Sequence, residues 1–237
     1  MDYKITGFIF DKKEYRDFDY LLFILTQNNE VVILRAKGLA KVSSKNAVAC
    51  QYFMLSEFVY TSKSKEGYKS LKSVSILKQY HMPYQNLLVS GMFFLIYEVI
   101  QQVAQQMPLY LLCQTCFELL EQKKEPYDVL NYFFKQILFE LGYQPSLDGC
   151  VFCHQRKELV SFDFESGGFI CKNCYKPFIH PSFSSVQLKE IYSFLKEKEM
   201  VDLTFSTSQI LFDTFVRFFK EQAGIHLQSY QFLKQIH

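Results

Sequence analysis

Along the first eighty residues, apolar positions come in short runs rich in β-branched and aromatic side chains, separated by polar or charged turns. The pattern predicts five strands, at 4–10 (KITGFIF), 19–26 (DYLLFILT), 30–36 (EVVILRA), 51–61 (QYFMLSEFVYT) and 68–80 (YKSLKSVSILKQY). Gln27, Asn28 and Asn29 read as a tight turn, because asparagine tolerates the left-handed backbone that hairpin loops need. Five strands in so short a stretch suit a small closed or partly closed barrel, an architecture that removes sheet edges and can bind oligonucleotides.

After His81, Met82 and Pro83 the apolar spacing changes to three and four. Helices are predicted over 86–106, 108–122 and 126–141, with Pro108 and Pro126 in first turns and Gly142 as a stop. Two more are predicted over 186–198 and 208–222, with Ser184-Ser185 and Ser206-Thr207 as N-caps and Gly224 closing the second. The apolar stretch 87–100 contains Glu98 and is shorter than the roughly 20 residues a bilayer requires, so it reads as a buried helix and no membrane partner is expected. The opening residues lack an uninterrupted apolar segment of secretory type, since Lys4, Asp11, Lys12 and Lys13 break it, and a cytoplasmic location is expected. The expected fold class is α+β: a small β-barrel over 1–80, then an all-helical domain over 81–237 with a cysteine-rich insert at 150–174.

Composition sharpens the insert. The chain has 237 residues, 49% of them hydrophobic, enough for a sizeable core. Four of its seven cysteines fall in CVFCHQRKELVSFDFESGGFICKNC, as two C-x-x-C pairs seventeen residues apart. In a reducing compartment such pairs point to metal or redox chemistry rather than disulfides. Each pair can place two thiolates on one tight knuckle, and the intervening VSFDF, ESGG and FI read as a hairpin. Cys150, Cys153, Cys171 and Cys174 are therefore the expected ligands of one structural zinc ion in a zinc ribbon, a filled shell with no open position for catalysis. A thioredoxin-type redox pair would lie where a strand enters a helix, which neither pair does. Cys113 and Cys116, three apart on a leucine-lined helix face, read as core, as does Cys50. His154 is expected to be exposed.

Charge is uneven. Residues 31–80 hold nine Lys or Arg against Glu57 and Glu66, a surface that attracts polyanions, nucleic acid first among them. The five histidines are scattered, and no phosphate loop, G-x-S-x-G or H-E-x-x-H motif occurs, so no enzyme is expected. Asp17 and Asp19 read as solvated loop residues.

The order of these parts resembles the RecO family of bacterial recombination mediators over essentially the whole chain. The resemblance rests on GFIFDKKEYRDFDYLLFILT near the start, LRAKGLAKVSSK (34–45), FFKQILFELGYQPSLDGCVFC (133–153), GGFICKNC and HLQSYQFL (226–233). His154 departs from the family pattern, in which glycine usually follows the first knuckle, and the basic tract after Gly38 is sparser. The resemblance implies that the N-terminal module is an OB-fold. It also implies a non-enzymatic protein that binds single- and double-stranded DNA, anneals strands, and works with RecR to help RecA replace single-strand binding protein, so that it is nucleoid-associated when acting. The expected DNA contacts are Lys12, Lys13, Arg16, Arg35, Lys37, Lys41 and Lys45; Tyr15 or Phe18 is either a base-stacking ring or an ordinary core or surface residue. The rival reading is a zinc-stapled adaptor that binds proteins and no nucleic acid.

Overall fold

A computed structural model describes residues 2–62 and 69–236. Lys63, Lys65 and Glu66 of the basic segment, Tyr68 at the start of the fifth expected strand, and His237 lie outside the described residues.

Strands β1 (Asp2–Tyr15), β2 (Asp19–Thr26), β3 (Val31–Ala36), β4 (Met54–Thr61) and β5 (Ser70–Gln79) form a closed barrel in the order β1-β2-β3-β5-β4, with β4 pairing back to β1. Neighbours are antiparallel except β3 and β5, which close the barrel in parallel at Arg35 and Ser70. This is the five-stranded OB arrangement. Ile9, Leu22, Ile24, Val32, Leu34 and Phe58 fill the interior. Phe8, Ile9 and Phe10 are all buried, although neighbouring strand residues point to opposite faces. Ile9 faces the barrel core, while the Phe8 ring lies 5.3 Å from Tyr110 and 5.1 Å from Phe117, on helices that follow the barrel.

Those helices are α1 (Met82–Gln85), α2 (Leu87–Val103) and α3 (Tyr110–Glu121). Phe93 of α2 stacks on Phe117 of α3 at 4.3 Å. Pro108 precedes α3 instead of opening it: the first helical N–H, on Tyr110, is taken by Asn29 Oδ1 at 2.8 Å, so a turn of the barrel sets where the helix begins. Because these helices share aromatic packing with β1, the chain's first compact unit comprises residues 1–122 with 227–237, and the second 123–226. The expected division after residue 80 follows the change from strand to helix; packing divides the chain some forty residues later.

The second unit holds α4 (Pro126–Glu140), the hairpin β6 (Leu159–Asp163) and β7 (Gly168–Cys171), α5 (Ser185–Lys196) and α6 (Phe205–Glu221). Pro126 opens α4 as expected, and Ser184 with Gln187 forms a full capping box on α5. Helix α6 begins after Thr204, so Ser206 and Thr207 lie within its first turn. Phe164, beyond β6, packs 4.3 Å from Phe215 of α6 and joins the hairpin to the helices. Lys135 of α4 is fully buried; its ammonium donates to the carbonyls of Phe194 and Glu197 at 2.8 and 2.9 Å, capping the end of α5. Burial pushes that ammonium down to about 8.

The sequence pattern leaves 227–236 as a tail, but it forms α7 (Ser229–Gln235) and belongs to the first unit. Ser229 donates N–H and hydroxyl to Glu98 of α2, at 3.0 and 2.7 Å. Leu233 sits over Gly91, where any Cβ would come within 2.4 Å of its methyl.

Candidate nucleic-acid interface and metal centre

The turn between β1 and β2 and the segment after β3 together line an open groove of about 530 Å³, with Arg16, Asp17, Phe18, Asp19, Lys37, Gly38, Lys41, Ser43, Ser44, Lys45 and Asn46 on its walls. Residues 38–51 descend through successive turns, Lys41 N–H to Gly38 O, Ser44 N–H to Lys41 O and Cys50 N–H to Asn46 O. Asp19 anchors the construction. Its Oδ1 accepts from Gly38 N–H at 2.8 Å, and its Oδ2 accepts from Arg35 Nε and Nη2 at 2.9 and 2.6 Å. Gly38, with φ +63, supplies the left-handed turn that aims its N–H at the carboxylate. The Gly38 bond first, then Arg35, holds the Asp19 carboxyl below the usual carboxylate range. Asp19 is thus a bracket between strand and loop, not the solvated residue its neighbours suggest.

The seven expected DNA-binding cations separate into two groups. Arg35 is committed to Asp19, and Lys12 donates to Cys50 O and Gln51 Oε1 at 3.3 Å each while covering the Tyr52 ring at 4.5 Å. Burial pushes the Lys12 ammonium down. Lys13, exposed, pairs with Asp11 at 3.6 Å outside the groove. Arg16, Lys37, Lys41 and Lys45 share the groove, are exposed, and form no ion pair among the described residues. Phe18 is 52% exposed with the Lys41 ammonium 5.6 Å from its ring, whereas Tyr15 is half-buried between Arg16 and Arg35. Four cations beside an open ring can neutralise phosphates and stack a base.

The four cysteines meet in the second unit, their sulfurs all within 4.8 Å of one another and Cys153 Sγ 3.5 Å from Cys171 Sγ. Each pair lies on a turn: His154 N–H bonds to Cys150 O at 2.8 Å, and Tyr175 N–H to Cys171 O at 2.9 Å. Burial opposes ionisation of Cys150, but N–H groups of Cys171, Cys153 and Phe152 outweigh it and bring the thiol down to about 6. Cys174 is pushed up to about 12, chiefly by its bond with the Cys153 thiol. Sulfurs this close cannot all ionise without a cation between them, and the donor set is one that could hold a metal ion. His154 is exposed, with φ +61, so the turn after the first knuckle is left-handed where glycine would be unstrained. Cys113, Cys116 and Cys50 are fully buried, and burial raises all three thiols.

Sequence reasoning missed Asp19, whose partners lie sixteen and nineteen residues away, and Asn46 in the groove wall.

Two family models match the chain. "Recombination protein O N terminal" matches residues 1–80, and "Recombination protein O C terminal" matches 85–230. Proteins called DNA repair protein RecO are similar throughout: that of Exiguobacterium is 25% identical over 248 residues, covering 98% of this chain and 96% of the relative. That of Halalkalibacterium halodurans is 23% identical, covering 100% and 96%, and that of Listeria monocytogenes serotype 4b is 22% identical, covering 98% and 94%. With an OB barrel, a helical part and a four-cysteine hairpin in that order, and with matches from the first residue to the last helix, the chain belongs to the RecO family.

Proposed function

We propose that this protein is a DNA repair and recombination mediator that binds single- and double-stranded DNA through the barrel groove, independently of sequence. The observation that carries the reading is the convergence of Arg16, Lys37, Lys41 and Lys45, exposed and without an ion pair among the described residues, on one groove beside the open ring of Phe18. Phosphates neutralised by such cations release counterions, which supplies affinity without base readout, as a protein acting at any damaged site requires. Two strands held by the same backbone contacts can be brought together for annealing. In keeping with the family, RecR is the partner with which it helps RecA displace single-strand binding protein, in the cytoplasm and at the nucleoid. No helix among the described residues is long and apolar enough to cross a membrane.

The four-cysteine site would hold one zinc ion. Four sulfurs at this separation suit tetrahedral ligation, in which Zn–S bonds of about 2.3 Å place neighbouring sulfurs roughly 3.8 Å apart. Zinc there supplies cross-linking of the two knuckles, not catalysis, and the protein performs no covalent step of its own.

The test is fluorescence anisotropy of a labelled oligonucleotide with wild-type protein and with Lys37→Gln/Lys41→Gln/Lys45→Gln. The variant should bind at least about tenfold more weakly at low salt with an unchanged melting temperature. Equal binding by both proteins would remove the groove from the account, and no binding by either would favour the adaptor reading instead.

A further inference from the structure

The four-cysteine hairpin carries a second aromatic and cationic surface. After Cys174 the chain turns sharply over 176–180: the N–H groups of Ile179 and His180 bond to Lys176 O at 3.0 and 2.9 Å, and Nδ1 of buried His180 accepts from Lys176 N–H at 3.0 Å. Locked from both ends, this turn displays Phe178 at 102% exposure and Ile179 at 58%. Phe152, on the first knuckle and 56% exposed, has its ring 6.1 Å from that of His180, so knuckle and turn meet there. Lys172 lies within the second knuckle and Lys176 two residues after it, both exposed and without an ion pair among the described residues, with Arg156 and Lys157 exposed on the first loop. The hairpin's acidic residues Asp163 and Glu165 are engaged by Arg217 at 2.7 and 2.8 Å, which leaves Glu158 and Asp148 as the acids near the knuckles in sequence, against Arg156, Lys157, Lys172 and Lys176.

A ring with its whole surface in water, on a hydrogen-bonded turn that follows two exposed lysines, has the two elements that single-stranded nucleic acid requires: a stacking face and phosphate neutralisation. The lysines on the same surface favour a polyanionic occupant. We propose that the 172–180 segment is a second contact for single-stranded nucleic acid, Phe178 stacking on a base and Lys172 and Lys176 meeting the flanking phosphates. The inference draws on none of the groove residues.

The test uses the full-length, metal-loaded protein and a thymidine oligonucleotide of about 30 nucleotides carrying 5-iodouracil, photo-cross-linked and mapped by peptide mass spectrometry. A cross-link at Phe178 is expected. Phe178→Ala and Phe178→Leu should each weaken binding about fivefold, and Phe178→Trp should retain it, because stacking and not bulk apolarity is lost. Metal content and melting temperature should not change. In the Lys37→Gln/Lys41→Gln/Lys45→Gln protein at low salt, the Phe178 cross-link should persist. If that triple variant binds as wild type while the cross-link remains, only the groove reading fails. Absence of the cross-link, with affinity unaltered in all Phe178 variants, overturns this proposal. So does full retention by Phe178→Leu against loss in Phe178→Ala, which would mark the surface as a protein-docking site.

Discussion

The barrel groove and the four-cysteine hairpin are both made of turns, left-handed residues and lysines, yet they direct their polar groups oppositely. In the hairpin the sulfurs and backbone N–H groups converge inward until four donors lie within 4.8 Å of one another. In the groove Asp19 faces inward and organises the loop, while Arg16, Lys37, Lys41 and Lys45 outnumber the one exposed acid, Asp17, and face water. A centre that closes around its ligand announces itself through spacing. A surface that offers charge outward becomes visible only once the internally committed charges, Lys12 and Arg35, are subtracted.

The largest effect expected from this contrast is in the hairpin. If the four cysteines hold the proposed zinc ion, Cys150→Ser or a strong chelator should abolish metal binding and lower the melting temperature by on the order of 10 °C, while the salt dependence expected of the groove survives. Calorimetry with metal analysis reads this directly. Indifference to the chelator would make the four cysteines a packed thiol cluster like Cys113 and Cys116.

A smaller effect belongs to the Asp19 bracket. Because its carboxyl is held below the usual range, the stabilisation it gives is fully present above the unfolded pKa of about 3.9 and is lost as pH falls through the lower folded value. Wild type should therefore exceed Asp19→Asn in urea midpoint at neutral pH, with the gap closing in acid. A gap independent of pH would mean that the carboxylate is not what Gly38 and Arg35 bind.

The smallest effect has the opposite sign. His154 holds a left-handed backbone, so His154→Gly should stabilise the knuckle by about 1 kcal/mol, raising the melting temperature by about 2–4 °C. A decrease would show that the imidazole contributes something the backbone argument omits.

Much of this was legible beforehand because it is local. The second strand was read with the same limits the fold gives it, 19–26, and the hairpin between the knuckles follows directly from VSFDF, ESGG and FI. What escaped depends on distant partners. Helix α3 starts at Tyr110 because Asn29 receives its first N–H, and no feature of the sequence around Pro108 reveals that. Helix α7 has seven residues, too few for a periodic signal, and is fixed by Glu98 and by the space over Gly91. The run Phe8-Ile9-Phe10 shows a strand buried on both faces, but not that its outer face belongs to helices a hundred residues on. The cations pose the same difficulty: Lys12, on β1, and Lys37, in the segment after β3, are equivalent in a charge count and differ only in what folds around them.

The central claim, that the groove binds phosphates through its outward-facing lysines, is tested most directly by the salt dependence of oligonucleotide affinity. With about 4–6 phosphates neutralised on a single strand, the log–log slope should be roughly −3 to −4, and removing the charges of Lys37, Lys41 and Lys45 should reduce its magnitude by about 2. An unchanged slope in that variant, with the fold intact, would contradict the account.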